Sequence, residues 1–299
     1  MYPILETLSI NTSAVKDDET GAIVLVVDEL AQLPDAPHGA IYDLRGDTVT
    51  ELGFHETNLV GQCFSGPDRR QIVTLAEWGD VFVSDGETSS LEHIEVQFGP
   101  LRNLTQIGAN AIACGADLQV FRRESTQWIS IGPDASIRAD FPANHIEAID
   151  GFGENELYGA GRDGVIWWFD GSAWHPVQSQ TNLSFYAVHC GSDDKVYLSG
   201  QGGIVAVGRY GDFEIHKPDT PLADVWGVAL WNEIVYLASF RAMITWDGSE
   251  WDTSAEAMAA GQTFYDLNVS PSYLWSFGMK DILKFDGETW MRINEVKVR

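Results

Sequence analysis

Side chains that could do acid–base or metal chemistry are numerous in this sequence, but none of them forms a familiar catalytic pattern. The seven histidines show neither an HxH nor an HExxH spacing, and no GxSxG or P-loop sequence occurs. Glycoside cleavage needs two carboxyl groups that converge on one bond, and 44 acidic residues permit such a pair without indicating its place. We therefore expect neither a metal nor a cofactor, and the sequence favours a protein that is not an enzyme.

Two short motifs look functional but fit a structural role better. Residues 159–164 (GAGRDG) match GxGxxG, yet they join two strand-like segments, whereas a dinucleotide-binding fingerprint lies between a strand and a helix. Residues 45–47 (RGD) resemble a cell-attachment tripeptide, yet they fall where other parts of the sequence place a hairpin turn. We predict a turn at both places.

The three cysteines, Cys63, Cys114 and Cys190, are odd in number and far apart. This spacing argues against a disulfide framework, a CxxC redox pair and a cysteine-rich zinc site. We expect free, buried thiols on separate strands.

The charge is strongly unbalanced, because 18 basic residues face 44 acidic ones and the formal net charge is −26. Nucleic acid and anionic membranes are unfavourable partners for such a chain, since binding either requires clustered Lys and Arg. An acidic surface does speed the encounter with a basic protein. We therefore predict a monomer whose partner is a basic protein, and neither nucleic acid nor a membrane.

The sequence shows no feature of an exported or membrane-spanning chain. No apolar run reaches about 18 residues, the length that a transmembrane helix needs. The first residues also lack a basic segment followed by a long apolar stretch, which a signal peptide would have. We expect a cytoplasmic protein.

An internal repeat of about 40 residues organises the chain. Its clearest unit is a short strand, a turn with Gly, a second strand that ends in Asp-Gly, two further residues and an aromatic residue. Clear copies lie at 161–174, 244–251 and 283–290, and weaker copies lie at 115–128 and 203–213. The aromatic residues that close these copies are Trp128, Trp174, Phe213, Trp251 and Trp290. We expect them to pack between neighbouring units.

The turn glycines allow the repeats to be counted. They lie at positions 46, 86, 171, 211, 248 and 287. The spacing of about 40 residues places one further turn near Ser125, where the sequence has no glycine. Another strand-like segment precedes each pair of strands, which gives four strands in each unit. Four strands in about 40 residues describe one blade of a β-propeller.

We therefore predict one all-β domain over residues 1–299, a β-propeller of seven four-stranded antiparallel blades. Six blades with an elaborated N-terminus is the alternative, because residues 5–10 fit either the inner strand of the first blade or a clasp on the last. Residues 254–260 (SAEAMAA) are the one segment where we expect a helical turn.

The repeated unit resembles the Asp-box, kelch-like and regulator-propeller repeats of bacterial β-propellers, whose blades also carry a Gly-rich turn and an Asp-Gly pair before a tryptophan. It departs from the Asp box, in which one residue separates Asp from Gly and a Ser or Thr lies two residues before the Asp. The resemblance extends over nearly the whole chain. It implies a fold only, because propellers carry many unrelated functions.

One face of the predicted propeller is the candidate binding surface. It carries the loops between blades and the loops between second and third strands, and the longest of these lie at 132–143, 217–221 and 255–262. Tyr186, Trp226 and Tyr265 recur about one repeat apart, where a loop enters an inner strand, and could surround the channel mouth. Core packing beneath the loops is the alternative for these three rings. The partner-binding candidates are Tyr186, Trp226, Tyr265, Trp78, Arg162 and Arg241.

These observations support three hypotheses from different classes. The leading one is a non-catalytic, cytoplasmic protein-binding propeller, and its most specific form is an immunity protein that inhibits a basic toxin or enzyme. The second is a carbohydrate-binding or carbohydrate-cleaving propeller, which predicts aromatic platforms and carboxyl groups in the channel. The third is a scaffold in a larger assembly.

Overall fold

The protein is a ring of seven antiparallel sheets that follow one another along the chain. The computed structural model describes residues 4–33, 35–141, 144–220, 222–293 and 297–298. Each sheet contains four consecutive strands in chain order, and a fifth, C-terminal strand joins the first sheet. The predicted seven-bladed β-propeller is confirmed, and the six-bladed alternative is wrong. Pro142, Ala143 and Pro221, in two of the long predicted loops, lie outside the described residues.

The strand bounds follow the predicted register, with strands a to d running from the channel to the rim. Blade 1 has β1 (Leu8–Val15), β2 (Thr20–Val27), β3 (Gly39–Arg45) and β4 (Thr48–His55), and blade 2 has β5 (Leu59–Ser65), β6 (Gln71–Ala76), β7 (Asp80–Ser84) and β8 (Ser89–His93). Blade 3 has β9 (Leu101–Ile107), β10 (Asn110–Gly115), β11 (Val120–Glu124) and β12 (Gln127–Ser130), and blade 4 has β13 (Ile146–Gly153), β14 (Glu156–Gly161), β15 (Ile166–Phe169) and β16 (Trp174–Val177). Blade 5 has β17 (Phe185–Cys190), β18 (Val196–Gly200), β19 (Val205–Arg209) and β20 (Asp212–His216). Blade 6 has β21 (Val225–Trp231), β22 (Ile234–Ser239), β23 (Ala242–Trp246) and β24 (Trp251–Thr253), and blade 7 has β25 (Asp266–Val269), β26 (Leu274–Phe277), β27 (Ile282–Phe285) and β28 (Trp290–Arg292).

Antiparallel pairing divides the loops between two faces. The b–c and d–a loops share one face, here called the upper face, and the a–b and c–d loops share the other, the lower face. Two short helices lie in d–a loops of the upper face, α1 (Ala135–Asp140) and α2 (Ala255–Ala260). The α2 helix was predicted, and Ser254 caps it by accepting a hydrogen bond from the Ala257 amide. None of the helices in the described ranges is long and apolar enough to cross a membrane.

The Asp-Gly pairs form the c–d turns. The carboxylate of each Asp accepts hydrogen bonds from the backbone amides two and three residues later, as at Asp170 with Ser172 and Ala173. These bonds hold the pKa of the carboxyl group below its usual range at Asp85, Asp247 and Asp286. At Asp170 the side-chain hydrogen bonds from Ser172 and His175 lower the pKa most, and the amide bonds lower it further. The glycine that follows adopts positive φ, for example +90° at Gly171. The predicted turns are thereby confirmed.

Two turns reach the same geometry without a glycine at the critical position. In the c–d turn of blade 3, which has no glycine, Ser125 adopts φ of +62°. In blade 5 the positive φ belongs to Tyr210, at +57°, and not to the predicted Gly211. The motif at 159–164 also ends in a turn, with Asp163 and Gly164 at positive φ, so it is a b–c turn as predicted.

An apolar cluster fills each of the seven interfaces between neighbouring blades. The aromatic residues that close the repeats pack in these clusters, which confirms their predicted role. Trp174, for example, is 4% exposed, packs against residues of blade 3 and donates a hydrogen bond from Nε1 to the Ile131 carbonyl at 2.6 Å. The three cysteines are free thiols on strands of three blades. Cys63 and Cys114 are buried, and Cys190 is partly buried.

Blades 1 and 7 close the ring. β1 is the inner strand of blade 1, so the interpretation of residues 5–10 as an inner strand is confirmed from Leu8 onward. Blade 7 binds blade 1 through Lys280, whose Nζ donates to Asp28 Oδ2 at 2.5 Å and to the Leu8 carbonyl at 2.9 Å. The strand β29 (Lys297–Val298) adds to the outer edge of blade 1, parallel to β4.

Candidate protein-binding face

A repeated irregularity shapes the upper mouth of the central channel. Near the start of each inner strand of blades 1 to 6, one residue is skipped in the pairing with strand b. The skipped residues are Asn11, Val60, Arg102, Glu147, Tyr186 and Trp226. In blade 7 the equivalent residue is Tyr265, whose amide donates to Phe277 just before the Asp266–Phe277 pair. A β-bulge re-aims the side chain of the residue that it leaves unpaired.

The structure brings three of the predicted residues together. The rings of Tyr186 and Trp226 stack with centroids 4.4 Å apart, and those of Trp226 and Tyr265 stack at 5.6 Å. Tyr265 is 37% exposed, and the other two rings are half-buried. These residues therefore form a continuous aromatic wall across the inner strands of blades 5, 6 and 7. The wall is partly solvent-accessible and is not simply core packing.

Carboxylates surround the aromatic wall. Burial raises the pKa of Tyr186, and the negative charge of Asp224 raises it further. Burial likewise raises the pKa of Tyr265, with contributions from Asp266 and Glu147. The predicted Arg162 binds Glu147, with Nε 2.7 Å from Oε1. The wall is therefore a largely apolar surface in a negative field.

Below the wall, the channel has a volume of about 300 Å³ and a polar lining. Asp150 accepts hydrogen bonds from the amides of Gly151 and Cys190, each at 2.8 Å, and burial raises the pKa of its carboxyl group to about 6. Burial also lowers the pKa of His189 to about 4, so this imidazole is neutral at pH 7. Asp266 lies in the same lining, nearer the mouth.

The remaining predicted residues share the upper face without joining the wall. Trp78 lies in the b–c turn of blade 2 and is 59% exposed. Arg241 lies in the b–c turn of blade 6, with its guanidinium 6.0 Å from the centre of the Phe240 ring. The six predicted residues thus occupy one face, but of these only Tyr186, Trp226 and Tyr265 stack on one another.

Sequence reasoning missed five exposed apolar residues on this face. Leu33 and Phe98 are 54% and 43% exposed, and the guanidinium of Arg138 lies 4.6 Å from the Phe98 ring centre. The others are Phe240, Met258 and Met279, each 38% exposed. All five lie in b–c or d–a loops, and large apolar residues in such loops were the signal that could have identified them.

Charge does not distinguish the two faces. Acidic residues outnumber basic ones in the loops of both faces. Among the described residues, Tyr210 is the one large exposed apolar side chain in a lower-face turn. Exposed apolar surface therefore marks the upper face as the candidate binding surface.

Comparison with known sequences points to a specific kind of protein. No protein-family model matches the chain. The chain is similar to a protein of Pseudomonas aeruginosa described as "Immune protein Tsi7", with 37% identity over 198 residues. The match spans 66% of this chain and 65% of that protein, slightly less than two thirds of its length.

Comparison with solved structures concerns the fold alone. YCF48 bound to D1 peptide superposes with a TM-score of 0.71 at 14% identity, over 96% of this chain and 94% of that one. The WD40 β-propeller domain of Doa1 superposes with a TM-score of 0.65 at 12% identity, over 98% of this chain and 96% of that one. Both are propellers, in agreement with the blade architecture.

Proposed function

We propose that this protein is an immunity protein that binds and neutralises a toxin through the upper face of its propeller, without catalysis. The observation that carries the proposal is the similarity to immune protein Tsi7. An inhibitor of this kind works by binding, so it requires a surface that fits its partner and no catalytic residues of its own. The leading hypothesis from the sequence is of the same class.

The exposed apolar side chains support the choice of face. More than half of the large apolar residues that are exposed in the described ranges lie in upper-face loops or in the aromatic wall. Aromatic residues and Met are enriched at protein interfaces, and rings near the centre of an interface carry much of its binding energy. The wall at the channel mouth is central on this face.

The charge supports the choice of partner. A net charge of −26 favours association with a basic toxin and disfavours nucleic acid and anionic membranes. We further propose that the protein acts as a monomer in the cytoplasm.

Co-expression tests this function. The probe is the product of the gene that neighbours the one for this protein, produced in cells with and without the protein, and the measurement is growth. We expect the protein to restore growth. The triple variant Tyr186→Ala, Trp226→Ala, Tyr265→Ala should bind the toxin at least about 100-fold more weakly, since central aromatic residues each contribute about 2 kcal/mol or more.

The control variant is Tyr210→Ala, which removes an exposed ring from the lower face. It should protect cells as well as the natural protein. Failure of the unmodified protein to restore growth, or to bind the neighbouring gene's product, would contradict the immunity function. Full protection by the triple variant would contradict the assignment of the face.

The geometry of the wall is less suited to carbohydrate. A sugar ring packs against an open aromatic face, whereas the ring of Trp226 already stacks with the rings of Tyr186 and Tyr265. The two channel carboxyl groups, on Asp150 and Asp266, belong to blades 4 and 7, which are not neighbours in the ring. A protein interface uses ring edges and apolar bulk, so it fits the stacked arrangement better.

A further inference from the structure

The channel wall contains hydrogen-bond acceptors that have no donor. Gln62 is 3% exposed, and its Nε2 donates to Thr74 Oγ1 at 3.0 Å, while its Oε1 is buried without a partner. On the next blade, the Oδ1 of Asn103 is also buried without a partner. Both residues line the channel. Buried acceptors are satisfied in most proteins, so a donor that reaches either oxygen would make a hydrogen bond that the protein alone leaves unmade.

Two carboxyl groups add negative charge to the same wall. Asp266 accepts hydrogen bonds from Ser13 Oγ at 2.6 Å and from Asn268 Nδ2 at 3.2 Å, and Asp150 accepts two backbone amides. Within the described part of the chain, no Lys or Arg side chain contributes to the pKa of either group. Their charge is therefore balanced by hydrogen bonds alone, and a cation entering the channel would add the missing counter-charge.

The surroundings strengthen such an interaction. The aromatic wall of Tyr186, Trp226 and Tyr265 lies at the mouth and makes one side of the entrance apolar. Charges attract more strongly where water is excluded. A volume of about 300 Å³ admits one long side chain but not a folded segment.

We propose that the channel receives an arginine side chain of the bound toxin. The inference rests on the proposed immunity function and adds the group that the protein recognises. A guanidinium has five N–H donors and no acceptor, which matches a wall whose unpaired groups are acceptors. Its planar fork can reach acceptors on several blades at once, whereas the ammonium of lysine is a compact point charge.

Titration with a single amino-acid derivative tests the inference without the toxin. The probes are N-acetyl-arginine amide and N-acetyl-citrulline amide, which have the same shape but differ in charge. The measurement is the chemical shift of the side-chain amides of Gln62 and Asn103 in the ¹⁵N-labelled full chain. We expect the arginine derivative to move both signals, with a dissociation constant on the order of 10 mM because a lone side chain makes few contacts. The citrulline derivative should leave them unchanged.

Two variants and one control locate the site. Gln62→Leu removes the free acceptor, and Asp266→Asn removes a charge while keeping an acceptor for Ser13. Each should weaken binding of the arginine derivative at least about tenfold, as expected for one hydrogen bond to a charged group. Gln127→Leu, at an exposed position on the outer strand of blade 3, should bind like the natural protein.

Each outcome bears on the inference separately from the immunity function. Equal shifts with the citrulline derivative, or no shift with the arginine derivative, would overturn the arginine site even if the protein protects cells from the toxin. Saturation by the arginine derivative at micromolar concentration would also overturn it, since a small metabolite would then be the natural ligand. Failure of the protein to protect cells, with arginine-specific shifts present, would overturn the immunity function and the toxin as the source of the side chain.

Discussion

Single residues hold the propeller together in ways that the repeat does not reveal. The clearest case is Arg123, which is 5% exposed and donates from Nε and Nη2 to the two carboxylate oxygens of Glu92 on the neighbouring blade, at 2.9 and 2.6 Å. Trp128 donates to the same carboxylate at 3.0 Å, and Gln71 accepts from Nη1 of Arg123 at 2.9 Å. This network joins blades 2 and 3 through four side chains.

Removing one partner of this pair should be costly. Arg123→Ala leaves the carboxylate of Glu92 buried without its counter-charge, so we expect a loss of about 3–5 kcal/mol in the free energy of unfolding. Arg45→Ala is the matched control, because Arg45 is 60% exposed and bound to Asp43 at the surface, and it should change stability by less than about 1 kcal/mol. Urea unfolding of the three proteins measures both effects. Equal midpoints for Arg123→Ala and the natural protein would show that the pair contributes nothing.

Asp150 makes the stability depend on pH. Burial raises the pKa of its carboxyl group to about 6 in the folded protein, above the ordinary value of 3.8. Between these two values the folded state holds a proton that the unfolded state has lost, so this group makes the protein less stable as the pH rises from about 4 to about 6. His189 and Asp266 also line the channel and titrate abnormally, so a variant is needed to isolate Asp150.

The variant is Asp150→Asn, which resembles the protonated carboxyl group at every pH. Relative to this variant, the natural protein should lose on the order of 1–2 kcal/mol in the free energy of unfolding between pH 4.5 and pH 7. Urea unfolding at both pH values gives the comparison. A difference between the two proteins that does not change with pH would contradict the raised pKa.

At the scale of elements, the c–d turns show which parts of a strand pattern can be predicted. Asp-Gly pairs have a local cause, since Gly accepts positive φ and Asp binds the turn amides, and four of the seven turns contain such a pair. Two more turns were visible in the sequence from a glycine alone, Gly46 and Gly211. The α1 helix was not predicted, because it is short and held by the packing of Ile137 and Phe141 on an interface cluster. Tertiary contact, and not local propensity, forms that element.

A comparison of two glycines shows how much a positive φ alone contributes to the stability cost of a Gly→Ala substitution. Gly248 has φ of +99° and Gly211 does not have positive φ, while an added Cβ would meet nothing within 4 Å at either position. Gly248→Ala should therefore cost about 1 kcal/mol or more from backbone strain alone, and Gly211→Ala should cost almost nothing. Thermal unfolding of both variants measures the difference. Equal melting temperatures would mean that the turn of blade 6 relaxes without cost.

The channel mouth shows where prediction from the repeat succeeds and where it stops. Tyr186, Trp226 and Tyr265 could be found because each occupies the same position of its repeat, and the ring brings equivalent positions together. Gln62, Asn103 and Asp150 were not found, because a polar residue in a strand gives no sign of facing the channel. The curvature of the whole ring places them in one wall, and no local pattern encodes that curvature.

At the scale of the whole molecule, ring closure depends on the contact between the first and last blades. Trp275 of blade 7 is fully buried in the cluster that it shares with blade 1, and its indole lies 4.1 Å from Lys284 Nζ. Trp275→Ala should lower the free energy of unfolding by about 3–5 kcal/mol by opening a cavity at the closure. Met291→Ala, on the outer strand of the same blade and 39% exposed, is the control. Urea unfolding measures both variants. If Trp275→Ala and Met291→Ala lower the free energy of unfolding equally, the closure contact contributes no more to stability than the outer strand does.

The net charge governs how fast the whole molecule meets its partner. If a basic toxin is captured through the upper face, the association rate should fall at least about tenfold between low and high salt, while the dissociation rate changes little. Glu95→Gln with Asp134→Asn removes two exposed charges from upper-face loops, and Glu87→Gln with Glu250→Gln removes two from lower-face turns. Stopped-flow or surface-based kinetics with the toxin should show a slower association for the first pair than for the second. Equal rates would mean that the net charge alone steers the encounter and that the upper face has no special part in it.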